Sequence, residues 1–275
     1  MRRSDLIPLA AALFCAVAAA ADVEAAPARV VSLNVCTDQL AWLIGAPGQL
    51  VSVSPLAHDP RSAALAAEMA DVPRNDASAE QVALMQPDLV LAGSYTARAT
   101  VQMLIGLGYR VETFQPTRSL SDIRENITRM GVLLGRPARA AALVADFDAR
   151  LATLSDAPET RPVVAYYLPF NETASGEGLT GDILHAAGMT TIAEALDLAP
   201  GETLPLERLV LAQPDMILVG APYDSPAQAT ALLQHPALRA TGKLHEIGPS
   251  AGWICGLPST LDTVAEMRAL RRSAQ

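Results

Sequence analysis

The sequence predicts an α/β protein built from two similar lobes, and the main observation is a segment that occurs twice. Residues 79–93 read AEQVALMQPDLVLAG, and residues 206–220 read LERLVLAQPDMILVG. A single internal repeat at this distance indicates two related halves rather than a short-period solenoid. The two copies align without a gap and share Glu80/Glu207, Leu84/Leu211, Gln86/Gln213, Pro87/Pro214, Asp88/Asp215, Leu91/Leu218 and Gly93/Gly220.

Each copy of the repeat has the pattern of a helix followed by a buried strand. The helix ends before a proline, which cannot continue it, and an aspartate starts the turn. The apolar run that follows, residues 89–92 or 216–219, is closed by a glycine. Such a run is typical of a strand buried on both faces of a parallel sheet. Strands alternate with helices along the whole chain, which predicts two Rossmann-like lobes, each with a central, mostly parallel sheet.

Residues 1–26 have the pattern of a signal peptide. Arg2 and Arg3 form its basic start, residues 6–21 its Ala/Leu-rich apolar part, and alanines between positions 18 and 26 its cleavage sites. An uncleaved membrane anchor is the alternative, but the apolar run is short for a bilayer span. We therefore expect a periplasmic protein in which disulfides can form. After cleavage, Cys36 and Cys255 are the only cysteines.

The composition excludes one class of partner. The 275-residue chain is 51% hydrophobic, which is enough for two small cores, and its formal net charge is −9. Lys243 is the only lysine. Because nucleic acid favours a basic face, we expect no nucleic-acid partner.

The first lobe is expected at residues 27–135. Its predicted strands are residues 29–33, 50–53, 89–92 and 110–114. Thr37 or Asp38 can cap a first helix at residues 39–44, and Ser119 can cap a last helix that runs to about residue 134. Between them, further helices are predicted at residues 61–69, in the first repeat copy and at 101–106.

A connecting helix is predicted at residues 136–158, where Pro137 suits the first turn. It is long enough to join the lobes as one rigid rod. The second lobe is expected at residues 159–275. Its predicted strands are residues 162–168, 190–193, 216–219 and 243–247, its predicted helices include residues 183–187, 228–234 and 259–272, and loops are predicted at 169–178 and 248–258.

Ligands of parallel α/β sheets bind at the carboxyl ends of the strands, where this sequence places most of its aromatic residues. Aromatic side chains with a few polar groups are typical of a site for a large, partly apolar ligand. We expect Trp253 to pack on the ligand, whereas Phe114 and Tyr167 could instead close the lobe cores. The candidate ligand-binding residues are Asn34, Cys36, His58, Arg74, Tyr95, Tyr167, Phe170, Tyr223, Trp253 and Cys255.

The order of these features resembles one protein family. The signal peptide, the strand RVVSL, the Asn-x-x-Thr-Asp turn that starts at Asn34, the paired Glu-to-Gln-Pro-Asp segments and the Ala-rich connecting helix are similar to the periplasmic binding proteins for ferric siderophores, haem and cobalamin. The resemblance covers nearly the whole mature chain. It implies a monomer without a cofactor or catalysis, which captures a bulky metal chelate between two lobes and delivers it to an ABC permease.

The resemblance also implies a docking role for one glutamate in each lobe. In that family, two surface glutamates contact arginines of the permease, and the matching positions are Glu80 and Glu207. Each glutamate alone could be an ordinary exposed residue at a helix start, where a negative charge favours the helix dipole. The symmetric pair favours docking, and we expect both residues to be exposed on the side of the cleft.

The sequence does not identify which chelate is bound. Cobalamin-binding members use aromatic residues in the loop after the second strand, whereas residues 54–60 (SPLAHDP) contain none, and Arg74 and Asn75 stand where those members have a tryptophan. Haem-binding members often offer a tyrosine or histidine to iron, for which His58 and Tyr95 are candidates. The related zinc and manganese proteins need converging His, Asp and Glu residues, and we expect no such metal site.

Cys36 and Cys255 each follow a strand, one in each lobe. Two lone cysteines in an exported protein usually pair, which predicts a bridge across the cleft. The alternatives are two free thiols that bind a metal in the cargo, and two unrelated buried thiols. A hypothesis of another class is an exported enzyme with Cys36 as nucleophile and His58 as base. The motifs of serine hydrolases, phosphate loops and zinc proteases are absent from the sequence, which disfavours an enzyme.

Overall fold

The computed structural model describes residues 25–154, 158–199, 201–221, 231–248 and 251–273. Within this part of the chain, two four-stranded parallel sheets have the same strand order, which confirms the α/β fold with two similar lobes. All but the last two residues of the expected signal peptide lie outside the described ranges. No helix in these ranges is both long and apolar enough to cross a membrane.

The first sheet consists of β1 (Val30–Ser32), β2 (Leu50–Ser52), β3 (Leu89–Gly93) and β4 (Val111–Phe114), in the order β2-β1-β3-β4. The second consists of β5 (Val163–Tyr166), β6 (Thr190–Thr191), β7 (Met216–Gly220) and β8 (Leu244–Ile247), in the order β6-β5-β7-β8. The repeat strands β3 and β7 therefore occupy equivalent inner positions. All residues of β3 are buried, as its apolar sequence predicts.

The helices connect these strands and join the lobes. In the first lobe they are α1 (Val35–Ile44), α2 (Ala79–Leu84), α3 (Arg98–Gly106) and α4 (Leu120–Leu133). The connecting helix is α5 (Pro137–Leu154), within the expected residues 136–158, of which residues 155–157 are outside the described part. The second lobe contains α6 (Leu179–Ala186), α7 (Ile192–Ala195), α8 (Leu206–Ala212), α9 (Pro236–Ala240), α10 (Ala251–Ile254) and α11 (Thr260–Ser273).

Four local predictions were wrong. The first helix begins at Val35 rather than at residue 39, and its N-cap is Asn34 rather than Thr37 or Asp38. Residues 61–69 form successive turns rather than a helix. Ala63, Ala66 and Met69 are buried at a spacing of three residues, and tight turns bury such a spacing as well as a helix does, so the sequence pattern did not distinguish the two. The strand predicted at residues 190–193 ends early, since Thr191 and Glu194 form a capping box that starts α7. The loop predicted at residues 248–258 contains α10.

The repeated Gln-Pro-Asp motif ties the central strand of each lobe to the first strand. In the first lobe, Asp88 Oδ2 accepts hydrogen bonds from the backbone N–H groups of Ala28 and Arg29, both at 2.8 Å. In the second lobe, Asp215 Oδ2 accepts one from Val163 N–H at 2.7 Å. The same aspartate therefore sets the register of two neighbouring parallel strands in both halves, which explains its repetition by folding alone.

The two lobes share one hydrophobic core. Ile123 of α4 and Phe147 of α5 belong to the same buried cluster as Tyr166 of β5 and Met267 of α11. Arg150 of α5 also pairs with an aspartate of α11. A core that is continuous across both lobes is expected to hold them as one stiff unit.

Candidate functional site

A disulfide joins the two lobes at the carboxyl ends of their sheets. Cys36 lies in the first turn of α1, Cys255 directly follows α10, and their Cα atoms are 4.9 Å apart. Of the three arrangements that the sequence left open for this pair, the structure contains the bridge. Because the sulfur of Cys36 is bonded, it is not available as a thiolate, so the hypothesis of a Cys36–His58 enzyme loses its nucleophile.

The loops around the disulfide hold the lobes in close contact. Thr117, in the loop after β4, donates a hydrogen bond from Oγ1 to the backbone oxygen of Cys255 at 3.3 Å. The next residue, Gly256, has φ of 59°, and a Cβ there would lie 2.3 Å from Thr117 Cγ2. Only glycine fits this position, both for its backbone conformation and for the space that Thr117 leaves.

A cavity of about 240 Å³ lies against the disulfide and is lined by both lobes. Its walls are mostly apolar. Of the residues predicted to bind the ligand, the structure brings Asn34, Cys36, Tyr95 and Cys255 together here. Other lining residues were not predicted from the sequence. Of these, Ser94, Thr117 and Asn126 are polar, and Ile254 and Leu257 are apolar.

Local hydrogen bonds position the first-lobe wall of the cavity. Asn34 caps α1, because its Oδ1 accepts from the backbone N–H of Cys36 at 3.0 Å. A Cβ on Gly93 would lie 2.6 Å from Asn34 Nδ2, so the glycine that ends β3 makes room for this side chain. At the equivalent Gly220, no described atom lies within 4 Å of that position, so only the first copy of the repeat uses its glycine in this way.

A buried carboxyl group anchors the start of α1 to the loop after β2. Asp38 is 0% exposed, and its Oδ2 accepts from Ser54 Oγ at 2.5 Å and from Ser54 N–H at 3.1 Å. Burial raises the pKa of the Asp38 carboxyl to about 7, although hydrogen bonds from Ser32 and Ser54 oppose this increase. This buried link fixes the turn that carries Asn34 and Cys36.

Trp253, which was expected to pack on the ligand, lies in the core rather than in the cavity wall. Its side chain is 6% exposed and belongs to the shared core, with its ring centroid 5.0 Å from that of Tyr166. The reason is the short helix α10, which turns Trp253 inward and Ile254 outward. Ile254 is 49% exposed and lines the cavity.

Tyr167 is also a core residue, as the alternative for this side chain foresaw. It is 0% exposed, and its hydroxyl donates a hydrogen bond to Asn171 Oδ1 at 2.8 Å. Burial raises the pKa of Tyr167 to about 12, and the charge of Glu207 adds to the increase. Phe114 is buried as well, at 6% exposed, but one side of it contributes to the cavity wall.

Three other candidates, His58, Arg74 and Phe170, do not line this cavity. His58 is half-buried, and its Nε2 has no hydrogen-bond partner among the described residues. Arg74 is exposed, and Tyr223 lies outside the described ranges. Phe170 is 72% exposed, and it and Asn171 both have left-handed backbones, with φ of 62° and 61°. Two consecutive non-glycine residues in this region are unusual and are typical of functional loops.

Glu80 and Glu207 lie at equivalent, exposed positions in the first turns of α2 and α8. A helix that leads into a parallel strand runs antiparallel to it, so these first turns lie near the carboxyl edges of the sheets. The influence of Glu207 on Tyr167, which directly follows β5, agrees with this placement. Neither glutamate forms an ion pair with a described residue.

A resident metal site is not evident in the described residues, where no three His, Cys, Asp or Glu side chains converge. The site is thus an apolar cavity between two lobes, closed on one side by a disulfide. A family model described as periplasmic binding protein matches residues 30–242.

The chain belongs to this family.

Relatives of this periplasmic binding protein include proteins named for cobalamin. It is 30% identical over 217 residues to a cobalamin-binding protein of Halobacterium salinarum, a match that covers 77% of this chain and 59% of the relative. The chain therefore spans less than two thirds of that relative's length. It is 24% identical over 247 residues to a vitamin B12-binding protein of Vibrio parahaemolyticus, which covers 87% of each chain.

Solved structures share the fold of this periplasmic binding protein. The haem-binding protein of Roseiflexus sp., in its apo form, superposes with a TM-score of 0.72 at 21% identity, over 90% of this chain and 99% of the other. The vitamin B12-binding protein of Vibrio cholerae superposes with a TM-score of 0.66 at 20% identity, over 90% and 98%. At this identity the likeness establishes the two-lobe architecture.

Proposed function

We propose that the protein captures a bulky metal chelate in the cleft between its lobes, within the periplasm, and delivers it to an ABC permease. The observation that carries the proposal is the cavity against the interlobe disulfide, to which both lobes contribute at the carboxyl ends of their sheets. Parallel α/β proteins bind ligands at this edge. The chelate is cargo, and the proposal assigns the protein no chemistry on it.

The chemistry of the cleft suits a flat, largely apolar ligand such as a corrinoid or a haem. The cavity of about 240 Å³ is below the size that would enclose such a molecule. The ligand would therefore insert one edge between the lobes and leave the rest against the rim. Tyr95, which lines the cavity and is 88% exposed, can stack on this outer part of the ligand. Phe170 is exposed in the segment after β5, outside the cavity wall.

The relatives and the sequence favour different ligands within the proposed class. The cobalamin-binding relatives favour a corrinoid, whereas the loop at residues 54–60 lacks the aromatic residues that cobalamin-binding members of the family use there. For haem, Tyr95 is the better placed of the two candidate iron ligands, because it lines the cavity and His58 does not. A ferric siderophore remains the third member of the proposed class.

Release of the cargo would involve little movement between the lobes. The disulfide and the shared core oppose hinge opening, so the permease would have to remove the ligand from a nearly fixed cleft. We propose that Glu80 and Glu207 dock on basic groups of the permease, one glutamate for each lobe. Their exposure, their equivalent positions and their place near the cleft edge support this role.

Native mass spectrometry tests the proposal. The purified, oxidised protein is exposed separately to cyanocobalamin, haemin and ferrichrome, with an unrelated exported protein as control. A one-to-one adduct with at least one chelate, which survives a tenfold dilution, is expected. Absence of an adduct with all three chelates would refute the proposed ligand class.

A further inference from the structure

The outer faces of the two repeat helices each present an exposed leucine at the same position. Leu84 is 84% exposed and Leu211 is 83% exposed. These are the two most exposed of the large aliphatic side chains in the described residues. The two positions are equivalent in the repeat, so the same apolar side chain is held in water twice.

The spacing pairs each leucine with a glutamate. On α2 the buried residues are Ala79 and Val82, so Glu80 and Leu84 lie on the opposite, outer face. Residues four positions apart on a helix are neighbours, with Cβ atoms about 6 Å apart. The helix α8 repeats the arrangement. Leu206 and Leu209 are buried, and Glu207 and Leu211 lie on the outer face. Each lobe therefore presents one carboxylate beside one apolar side chain.

Folding does not explain these leucines. A side chain that keeps more than four fifths of its surface in water contributes little burial energy. Many polar residues form helices as well as leucine does, so helix propensity does not require an apolar residue at these positions. A single exposed leucine is common on a protein surface. The observation that calls for an explanation is its repetition at the equivalent exposed position of both lobes, each time four residues after a glutamate.

We infer that Leu84 and Leu211 are a matched pair of apolar anchors for the transmembrane permease, one beside each docking glutamate. The inference rests on the proposed function. A permease formed by two copies of one subunit presents the same surface twice, and two lobes with the same Glu–Leu couple match that symmetry. The two carboxylates, which pair with no described residue, fit basic groups on the partner, and each leucine fits an apolar pocket next to them.

Charge decides against two other occupants of this surface. A second copy of this chain would bring carboxylate against carboxylate, with a formal net charge of −9 on each molecule. An anionic lipid surface would repel the same carboxylates. A partner with basic groups beside apolar pockets satisfies both members of each couple.

Photo-crosslinking in the intact host cell tests the pair. A p-benzoylphenylalanine residue replaces Leu84, Leu211 or, as a matched control, Leu107, which is 59% exposed outside the repeat. Adducts are identified by mass spectrometry. Leu84 and Leu211 should both attach to the same polytopic membrane protein, with at least tenfold more adduct than at Leu107. Both adducts should disappear when E80R and E207R are added.

Three outcomes would overturn the inference: no membrane-protein adduct at either position, adducts to another copy of this chain, or equal adducts at Leu107. The purified L84S/L211S variant should bind cyanocobalamin, haemin and ferrichrome as the wild type does. Failure of the wild type to bind any of these chelates would instead refute the proposed function, so the two failures are distinguishable. A loss of chelate binding in L84S/L211S alone would assign the leucines to the ligand site and overturn the docking role.

Discussion

At the residue scale, Asp38 makes the stability of the protein depend on pH. Burial raises the pKa of this carboxyl to about 7 from an ordinary value of 3.8, so between these values the folded state holds a proton that the unfolded state has lost. The free energy of unfolding therefore falls as pH rises through this range, by up to about 4 kcal/mol. D38N removes the titration, and urea unfolding at several pH values should show a flatter profile than for wild type or for the exposed control D146N. Equal slopes in D38N and wild type would contradict this role.

Trp253 and its neighbour Ile254 allow a matched test of which side chain faces the ligand. Trp253 lies in the shared core, so W253A should lower the free energy of unfolding by about 3–5 kcal/mol. Ile254 is half-exposed at the cavity, so I254A should change stability little and weaken chelate binding more than W253A does. Thermal melts and chelate titrations measure both effects. A stable W253A that no longer binds would restore Trp253 to the ligand site.

The sequence was informative about single residues where topology determined their position. Asn34, Cys36 and Cys255 follow strands at the carboxyl ends of the two sheets, and all three line the cavity. It was less informative where one extra helical turn decided the outcome. The helix α10 is only four residues long, too short to show a helical periodicity in the sequence. It directs Trp253 into the core and Ile254 toward the cavity.

At the element scale, the repeat predicted the inner strands and their connecting helices, because a helix, a turn and a buried run follow each other in both copies.

The aspartate of each Gln-Pro-Asp motif supplies a test of this explanation. Asp88 accepts two backbone hydrogen bonds, whereas Asp215 accepts one. We expect D88A to lower the free energy of unfolding by about 2 kcal/mol and D215A by about 1 kcal/mol. Urea unfolding measures the pair, and a larger loss in D215A would contradict this explanation of the motif.

Elements without a repeat partner were harder to predict. Residues 61–69 bury alanines and a methionine every three residues, a spacing that does not separate a helix from successive turns. Thr191 is the last residue of β6, and its hydroxyl also caps α7, so the strand ends two residues earlier than predicted. In both cases the local choice depends on packing and hydrogen bonds that a single sequence does not reveal.

At the scale of the whole molecule, we expect the disulfide and the shared core to hold the two lobes as one stiff unit. The bridge spans 219 residues, and closing a loop of that length stabilises a protein by about 5 kcal/mol in the chain-entropy model. The sequence indicated a bridge among its alternatives. It did not indicate a common core, because the packing of α5 against α11 joins segments that have no pattern in common.

The docking role also belongs to this scale. E80R/E207R should abolish uptake of the chelate into host cells and leave the affinity of the purified protein unchanged, because both glutamates are exposed and outside the cavity. The matched control is E68R/E125R, which reverses two exposed charges outside the repeat. Uptake of radiolabelled cobalamin or haem measures the effect. Equal loss of affinity in E80R/E207R would contradict the docking role.

The most direct measurement is an absorbance titration of wild type, S94W and A142W with cyanocobalamin, haemin and ferrichrome. Ser94 is an exposed residue of the cavity wall, so an indole at this position should block the space beside the disulfide. Ala142 is exposed on α5 and provides a matched control away from the cavity. Wild type and A142W should bind the same chelate with equal affinity, and S94W should bind it at least tenfold more weakly. Equal binding by all three proteins, or binding by none, would contradict capture of a chelate in this cleft.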